Sequence, residues 1–222
     1  MPDPTPIRIL VTGFGAFPGV MSNPSEALLG WIGERLGRLP GDVTLKTAFI
    51  PATWEAAERF TSQLLANFDP DIALHFGLHR RAAGFRIETL ARNCACMQAD
   101  ADGKRYRPGQ MMPSAPRMLR ATLNADKLTA RLRAHGAPAA PSLNAGRYVC
   151  NMLFYLSLHQ SLNCNRPRQT GFIHIPPLRP PQSHGKTDKA MIFNKNMLLA
   201  GVDVIFTHCI DAHRHASHAS TR

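Results

Sequence analysis

No run of apolar residues in this sequence approaches the roughly 18 needed to cross a bilayer, so a membrane span is not expected. Residues 1–6 carry no basic segment leading into an apolar one, so no secretory leader is expected either. Acidic side chains are scarce: 15 Asp and Glu stand against 26 Lys and Arg, a formal net charge of +11. Cysteines are few and odd in number: Cys94, Cys96, Cys150, Cys164 and Cys209. Their irregular spacing excludes a disulfide framework, and Cys94-x-Cys96 is too close for a zinc knuckle. Reduced thiols and a cytoplasmic location are expected. No metal site is expected.

With 44% hydrophobic residues over 222 positions, the chain can bury a full core without staples. One domain, residues 1–222, is the expectation. The positive charge is uneven: Arg80 to Arg133 holds twelve Lys or Arg against four Asp or Glu. A basic stretch invites a nucleic-acid partner. No helix-turn-helix, zinc finger or aromatic RNA-binding signature accompanies it, so a solvated surface or an oligomer rim is the preferred reading.

Hydrophobic periodicity alternates between strand and helix. Residues 7–12 (IRILVT) form a buried, β-branched run ending at Gly13. Asn23 caps a helix whose first position is Pro24, with Glu26 placed for a capping box. Ala27, Leu28, Trp31, Ile32 and Leu36 mark its apolar face. Residues 43–50 read as a strand. Thr53 then caps a helix over 54–68, with Ala57, Phe60, Leu64 and Leu65 on one side, and residues 71–77 form a third strand. This alternation predicts an α/β fold, a three-layer sandwich around a mostly parallel twisted sheet. Further on, the pattern gives a loose strand over 85–91, a long loop over 98–116, a short helix over 126–135 and a clear helix over 145–161. A strand over 171–175 follows, then a final helix from Thr187 to about His213. Gly201 leaves a strand over 202–206 as the other reading of that last segment. Loops as long as 98–116 usually carry function.

Several residues have the character of reacting groups. Gly13-Phe14-Gly15 follows the first strand, but Pro18 and the late helix start argue against a dinucleotide fingerprint. Phe14 and Phe17 instead face the carboxyl end of the sheet, where open parallel sheets bind ligands. Cys150 lies near a helix start, where the positive end of the dipole favours thiolate; a buried structural cysteine is the equal alternative. His174 is a polar residue in an apolar strand, either a satisfied core histidine or a base at the strand's carboxyl end. Glu88 is the lone acid of a basic stretch, either an ion-pair partner of Arg86 or Arg92 or the orienter of His174. The histidines at 208, 213, 215 and 218 read as a solvated tail. His75 and His79 are given no role.

Together, ILVTGFGAFPGVMSNPS, DIALHFGL, RIETLARN, NAGRYVCNMLFYLSLH and GFIHIPP resemble, in order and spacing, the pyroglutamyl peptidase I (pyrrolidone-carboxylate peptidase) family. The resemblance spans almost the whole chain. It implies a cysteine peptidase that removes an N-terminal pyroglutamyl residue from peptides. Cys150 falls on the nucleophile, His174 on the base and Glu88 on the carboxylate. Phe14, Phe17 and Tyr148 fall on the lactam pocket, and Asn23 on the segment closing around the substrate. Leu78 stands where some members have glutamine, and Tyr148 where several have phenylalanine. The resemblance further implies no cofactor, a cytoplasmic location and a homo-oligomer, a dimer or tetramer. Two other readings remain: a thiol hydrolase of altered acyl specificity, and a basic binding module on a retired peptidase scaffold.

Overall fold

The chain folds around one central sheet, seen in a computed structural model that describes residues 6–34, 39–178 and 193–219. The elements in order are β1 (Ile7–Phe14), α1 (Pro24–Gly33), β2 (Val43–Ile50), α2 (Trp54–Phe68), β3 (Ile72–Leu78), β4 (Phe85–Glu88), β5 (Leu90–Arg92), β6 (Met118–Arg120), α3 (Ala125–Ala134), β7 (Ala139–Ser142), α4 (Val149–Cys164), β8 (Gln169–Ile175) and α5 (Lys195–Ala219). Six strands pair in the order β2-β1-β3-β8-β4-β7, and β5 pairs with β6 apart from them. β2, β1, β3 and β8 run parallel. β4 is antiparallel to β8 and parallel to β7. Helices cover both faces: α1, α3 and α5 close one core, α2 and α4 the other. The expected three-layer α/β sandwich is therefore the architecture.

β1, β3 and β8 lie inside the sheet, and nearly all their residues are buried. That is why they read as continuous apolar runs rather than alternating ones. Asn23 caps α1 by accepting from Ser25 N–H (3.1 Å), and Thr53 caps α2 by accepting from Ala56 N–H (3.2 Å). The capping box does not form among the described residues: no side-chain bond runs from Glu26 to Asn23, and the Asn23 side-chain Nδ2 donates to Gly15 O (3.1 Å). Gly13 does not end the strand. It continues β1 to Phe14 and lets α1 approach, because a Cβ there would overlap the Ser25 carbonyl.

Several boundaries differ from expectation, and the helical reading of the last segment holds. The 145–161 helix starts at Val149 and runs to Cys164, because Gly146 is left-handed (φ +81) and Asn144 Oδ1 accepts from Gly146 N–H in a turn. The 85–91 strand divides at Thr89, whose N–H donates to Ser142 O (2.7 Å) while the next residues leave to pair with β6. β7, unannounced in the sequence, is a four-residue edge strand containing Pro141, which only an edge tolerates. Residues 202–206 are helical. Gly201 sits within α5 because a Cβ would overlap the Phe85 ring. His208, His213 and His215 accordingly lie on α5 and not on a frayed tail. Leu36 and Thr187 fall outside the described residues, as do the side chains of Phe60 and His218. No described helix is long and apolar enough to cross a membrane.

Candidate active site

The sheet order places β2 on one side of β1 and β3 on the other. Crossovers leaving in opposite directions open a crevice beyond the carboxyl ends of the strands. A cleft of about 420 Å³ lies there. Its wall includes Phe14, Phe17, Asn23, Leu78, Tyr148, Cys150 and His174. Every residue expected to touch substrate thus lines a single cleft. Glu88 is the exception by design of the fold: it is fully buried, behind His174.

Register explains how Cys150 and His174 meet. In the parallel β3–β8 pair, Gly77 is the partner of His174. Neighbouring residues of such a pair project to the same face of the sheet. A Cβ on Gly77 would point at Cys150 Sγ, 3.2 Å away, and at Phe172 Cζ, 2.9 Å away. His174 therefore projects to the α4 side of the sheet, next to the thiol. Cys150 itself is the second residue of α4. Tyr148, at the N-cap, makes no side-chain cap. The first-turn N–H groups of Val149, Cys150 and Asn151 thus have no acceptor within the helix.

The floor is aromatic. Phe172 is fully buried and packs against Phe14 (centroids 6.3 Å apart), Phe154 (5.8 Å) and the His174 ring (4.8 Å). Burial of one such ring contributes about 1.5–3 kcal/mol. Tyr148 lies between Phe17 (6.0 Å) and Trp54 (5.0 Å, edge-on), and its hydroxyl donates to Ala99 O (3.1 Å). That bond ties the cleft wall to the long loop, whose Gln98 also lines the cleft. Buried Asp100 orders the loop, accepting from the N–H groups of Trp54, Asp102 and Lys104. Asn23 spends its polar atoms on Gly15 and Ser25, so it shapes the wall from behind.

His174 Nδ1 and Glu88 Oε1 are 2.8 Å apart. Glu88 stands opposite Phe172 in the antiparallel β4–β8 pair, diagonal to His174 on the same face. Burial raises the carboxyl pKa, but the His174 hydrogen bond and charge, helped by Ser142 and Arg86, outweigh it and hold the pKa below its ordinary value. An ionised carboxylate only accepts, so His174 Nδ1–H donates, and in the neutral imidazole Nε2 carries the lone pair. Arg86 Nε lies 3.6 Å from the same carboxylate oxygen, so the ion pair expected with Arg86 forms beside the hydrogen bond to His174.

The thiol departs from expectation. Cys150 is part-exposed toward the cleft, but burial against its apolar surroundings, with the Glu88 charge adding to it, pushes its pKa up to about 12. Desolvation here opposes the effect of the helix start.

The sequence reading missed neighbours. His79 lines the cleft, with its ring 5.6 Å and edge-on from that of His174, and its Nδ1 is buried without a partner. Burial, then the His174 and Arg86 charges, lower its pKa despite Glu88, so it is neutral. Its position one residue past β3 was the available signal. Asn151, after the thiol, is buried and clamps the chain beyond β4: it accepts from Arg92 N–H and donates to the Arg92 and Cys94 carbonyls. His75, by contrast, is a core residue paired with Thr12 Oγ1 (2.8 Å). A second cavity, between α1, β2 and α5, is lined by Ile32, Leu45, Val202 and Phe206 and has no cysteine or histidine in its wall. Among the described residues, no group of three or more His, Cys, Asp or Glu is placed to hold a metal.

Comparison with known proteins places the fold. Residues 7–211 match the profile of the pyroglutamyl peptidase family. A pyrrolidone-carboxylate peptidase of Pyrococcus furiosus is 34% identical over 171 residues, 77% of this chain and 81% of that protein. One from Bacillus subtilis is 32% identical over 187 residues, covering 81% and 82%. The crystal structure of pyrrolidone carboxyl peptidase from P. furiosus superposes with a TM-score of 0.82 at 28% identity, covering 93% of this chain and 100% of that one. With a profile spanning nearly all of the described fold and relatives of this closeness, the chain belongs to the pyroglutamyl peptidase family of cysteine peptidases.

Proposed function

We propose that this protein hydrolyses the bond after an N-terminal pyroglutamyl residue of peptides, with Cys150 as nucleophile, His174 as general base and acid, and Glu88 as the orienter of His174. The observation that carries the assignment is the 2.8 Å His174–Glu88 hydrogen bond, made behind the wall that also bears Cys150. Its partners come from β4, β8 and α4, far apart in sequence, and this supports a single catalytic domain.

The substrate's first ring is a lactam without a charged amine. A carboxylate that grips the ammonium of an ordinary peptide has nothing to hold. An apolar slot between Phe14, Phe17 and Tyr148 suits the ring, with backbone groups reading its N–H and C=O. His174 Nε2 takes the thiol proton as Sγ bonds to the pyroglutamyl carbonyl carbon. The carbonyl oxygen becomes an oxyanion, within reach of the free N–H groups that open α4. Each such donor is worth about 3–4 kcal/mol. The C–N bond then breaks and His174 returns its proton to the leaving amine, leaving a thioester. His174 next takes a proton from water, whose oxygen attacks the thioester; pyroglutamate leaves and the thiol regains its proton. Because the resting thiol is held protonated, the free Nε2 lone pair is what starts the cycle. All five cysteines are free, in keeping with a reducing compartment such as the cytoplasm.

The test is release of a fluorescent amine from a pyroglutamyl-amide under reducing conditions, by wild type and by Cys150→Ala. Turnover by wild type alone is expected. Retained turnover in Cys150→Ala would remove the nucleophile assignment. A folded wild type that releases no amine would move the substrate to another acyl group.

A further inference from the structure

The cleft lining contains Arg80, Arg81 and Arg86 but no Asp or Glu. Arg86 is engaged: its Nε faces Glu88 at 3.6 Å, and a terminal nitrogen donates to Ser142 Oγ (2.6 Å). Arg80 and Arg81 are different. Both are exposed, and neither pairs with a carboxylate among the described residues. They stand in the segment from β3 to β4, and β8 lies between those two strands. The segment must therefore cross over the carboxyl end of β8, directly above His174. His79 N–H donates to Ile175 O (2.9 Å), fixing the start of that crossing. Arg80 also reaches back over the cleft: one terminal nitrogen lies 3.7 Å from where a Gly19 Cβ would be, beside the turn that carries Phe17.

The exit route of a peptide follows from the chemistry. Its pyroglutamyl ring occupies the Phe14–Phe17–Tyr148 side, and its leaving nitrogen must come to His174. The residue after pyroglutamate therefore emerges under the segment that carries the two free guanidinium groups. Cations without partners at the mouth of a concave site concentrate field there, and guanidinium pairs with carboxylate in a planar fork.

We infer that Arg80 and Arg81 make this enzyme selective for a carboxylate on the residue that follows pyroglutamate, either the side chain of an acidic residue or the terminal carboxylate of a pyroglutamyl dipeptide. The inference rests on the proposed pyroglutamyl reaction and names the leaving group it favours.

The test compares kcat/KM of the full chain on five substrates in reducing buffer. Pyroglutamyl-glutamate amide against pyroglutamyl-glutamine amide reads the side-chain carboxylate. Pyroglutamyl-alanine against its amide reads the terminal one. Pyroglutamyl-lysine amide supplies the opposite charge. A carboxylate is expected to raise kcat/KM about tenfold over its amide in at least one pair. That preference is expected to shrink between about 0.01 M and 1 M salt, as the screening length falls from about 30 to 3 Å. The arm that shows the preference identifies which carboxylate is read. The double variant Arg80→Glu/Arg81→Glu is expected to invert the order in favour of the lysine amide, a change that loss of structure does not produce. Hydrolysis of all five at similar rates would overturn the inference and leave the proposed reaction standing. Hydrolysis of none by a folded protein would overturn both.

Discussion

Gly77 and Cys150 meet with no room between them: a Cβ on Gly77 would stand 3.2 Å from Cys150 Sγ and 2.9 Å from the Phe172 ring. Phe172 is fully buried and cannot yield without disturbing Phe14, Phe154 and His174. Gly77→Ala is expected to displace the thiol or the ring on which the His174 imidazole rests. A misplacement of about 1 Å costs about 10²-fold in rate, and overpacking costs about 1–3 kcal/mol. Steady-state kinetics and thermal unfolding on the same preparation measure both. Wild-type kcat in Gly77→Ala would mean that the thiol tolerates the shift.

Glu88→Gln keeps the shape of the side chain and removes its charge. The amide no longer dictates that Nδ1 carry the proton. We expect kcat to fall about 10²–10⁴-fold, less than in Cys150→Ala. The same substitution has a stability signature. The folded pKa of Glu88 lies below its ordinary value of 4.5. Its contribution is therefore complete above that value and is lost as pH falls through the lower, folded pKa. The gap in Tm between wild type and Glu88→Gln should be constant near neutrality and close in the acid range. A gap independent of pH would contradict the linkage.

Cys150 should behave as a protonated thiol at rest, since burial and the Glu88 charge push its pKa up to about 12. Its alkylation by iodoacetamide is expected to be slow at neutral pH and to keep rising with pH, because only thiolate reacts. Exposed Cys164 should be alkylated first. Mass spectrometry of the modified peptides resolves the two. A plateau for Cys150 in the neutral range would indicate a preformed thiolate–imidazolium pair.

Gly201 tests the packing of the last helix. A Cβ there would overlap the fully packed Phe85 ring of β4, the strand that carries Glu88. Gly201→Ala should improve helix propensity by about 1 kcal/mol yet lose more than that to overpacking. Net destabilisation in urea is the expected result. A gain in stability would show that α5 can slide away from Phe85.

Much of this site is legible in the sequence. Continuous apolar runs marked β1, β3 and β8, because a strand covered on both faces by helices has no polar side to show. Residues at strand ends and at a helix start, Phe14, His174 and Cys150, could be placed near one sheet edge because topology confines such positions to one end of the molecule. The caps of α1 and α2 were readable for the same local reason: Asn23 and Thr53 bond within three residues of themselves. Local chemistry failed where a distant partner decided the outcome. Thr89 breaks a strand because of Ser142, and Gly201 sits inside a helix because of Phe85.

By itself, then, the sequence determined the α/β layering, the cysteine, the histidine and the carboxylate that the site brings together, and the family. Tertiary structure alone decided how those groups stand to one another. The antiparallel turn of β4 against β8 sets Glu88 diagonal to His174, which fixes the tautomer. Packing of α4 over Gly77 sets the thiol against apolar neighbours, and this desolvation, with the Glu88 charge, pushes its pKa up against the shift that a helix start suggests. The crossing of residues 79–84 over β8 brings His79 beside His174 and sets at the cleft two arginines that pair with no carboxylate among the described residues. Strand order, which no local pattern encodes, is the cause of all three.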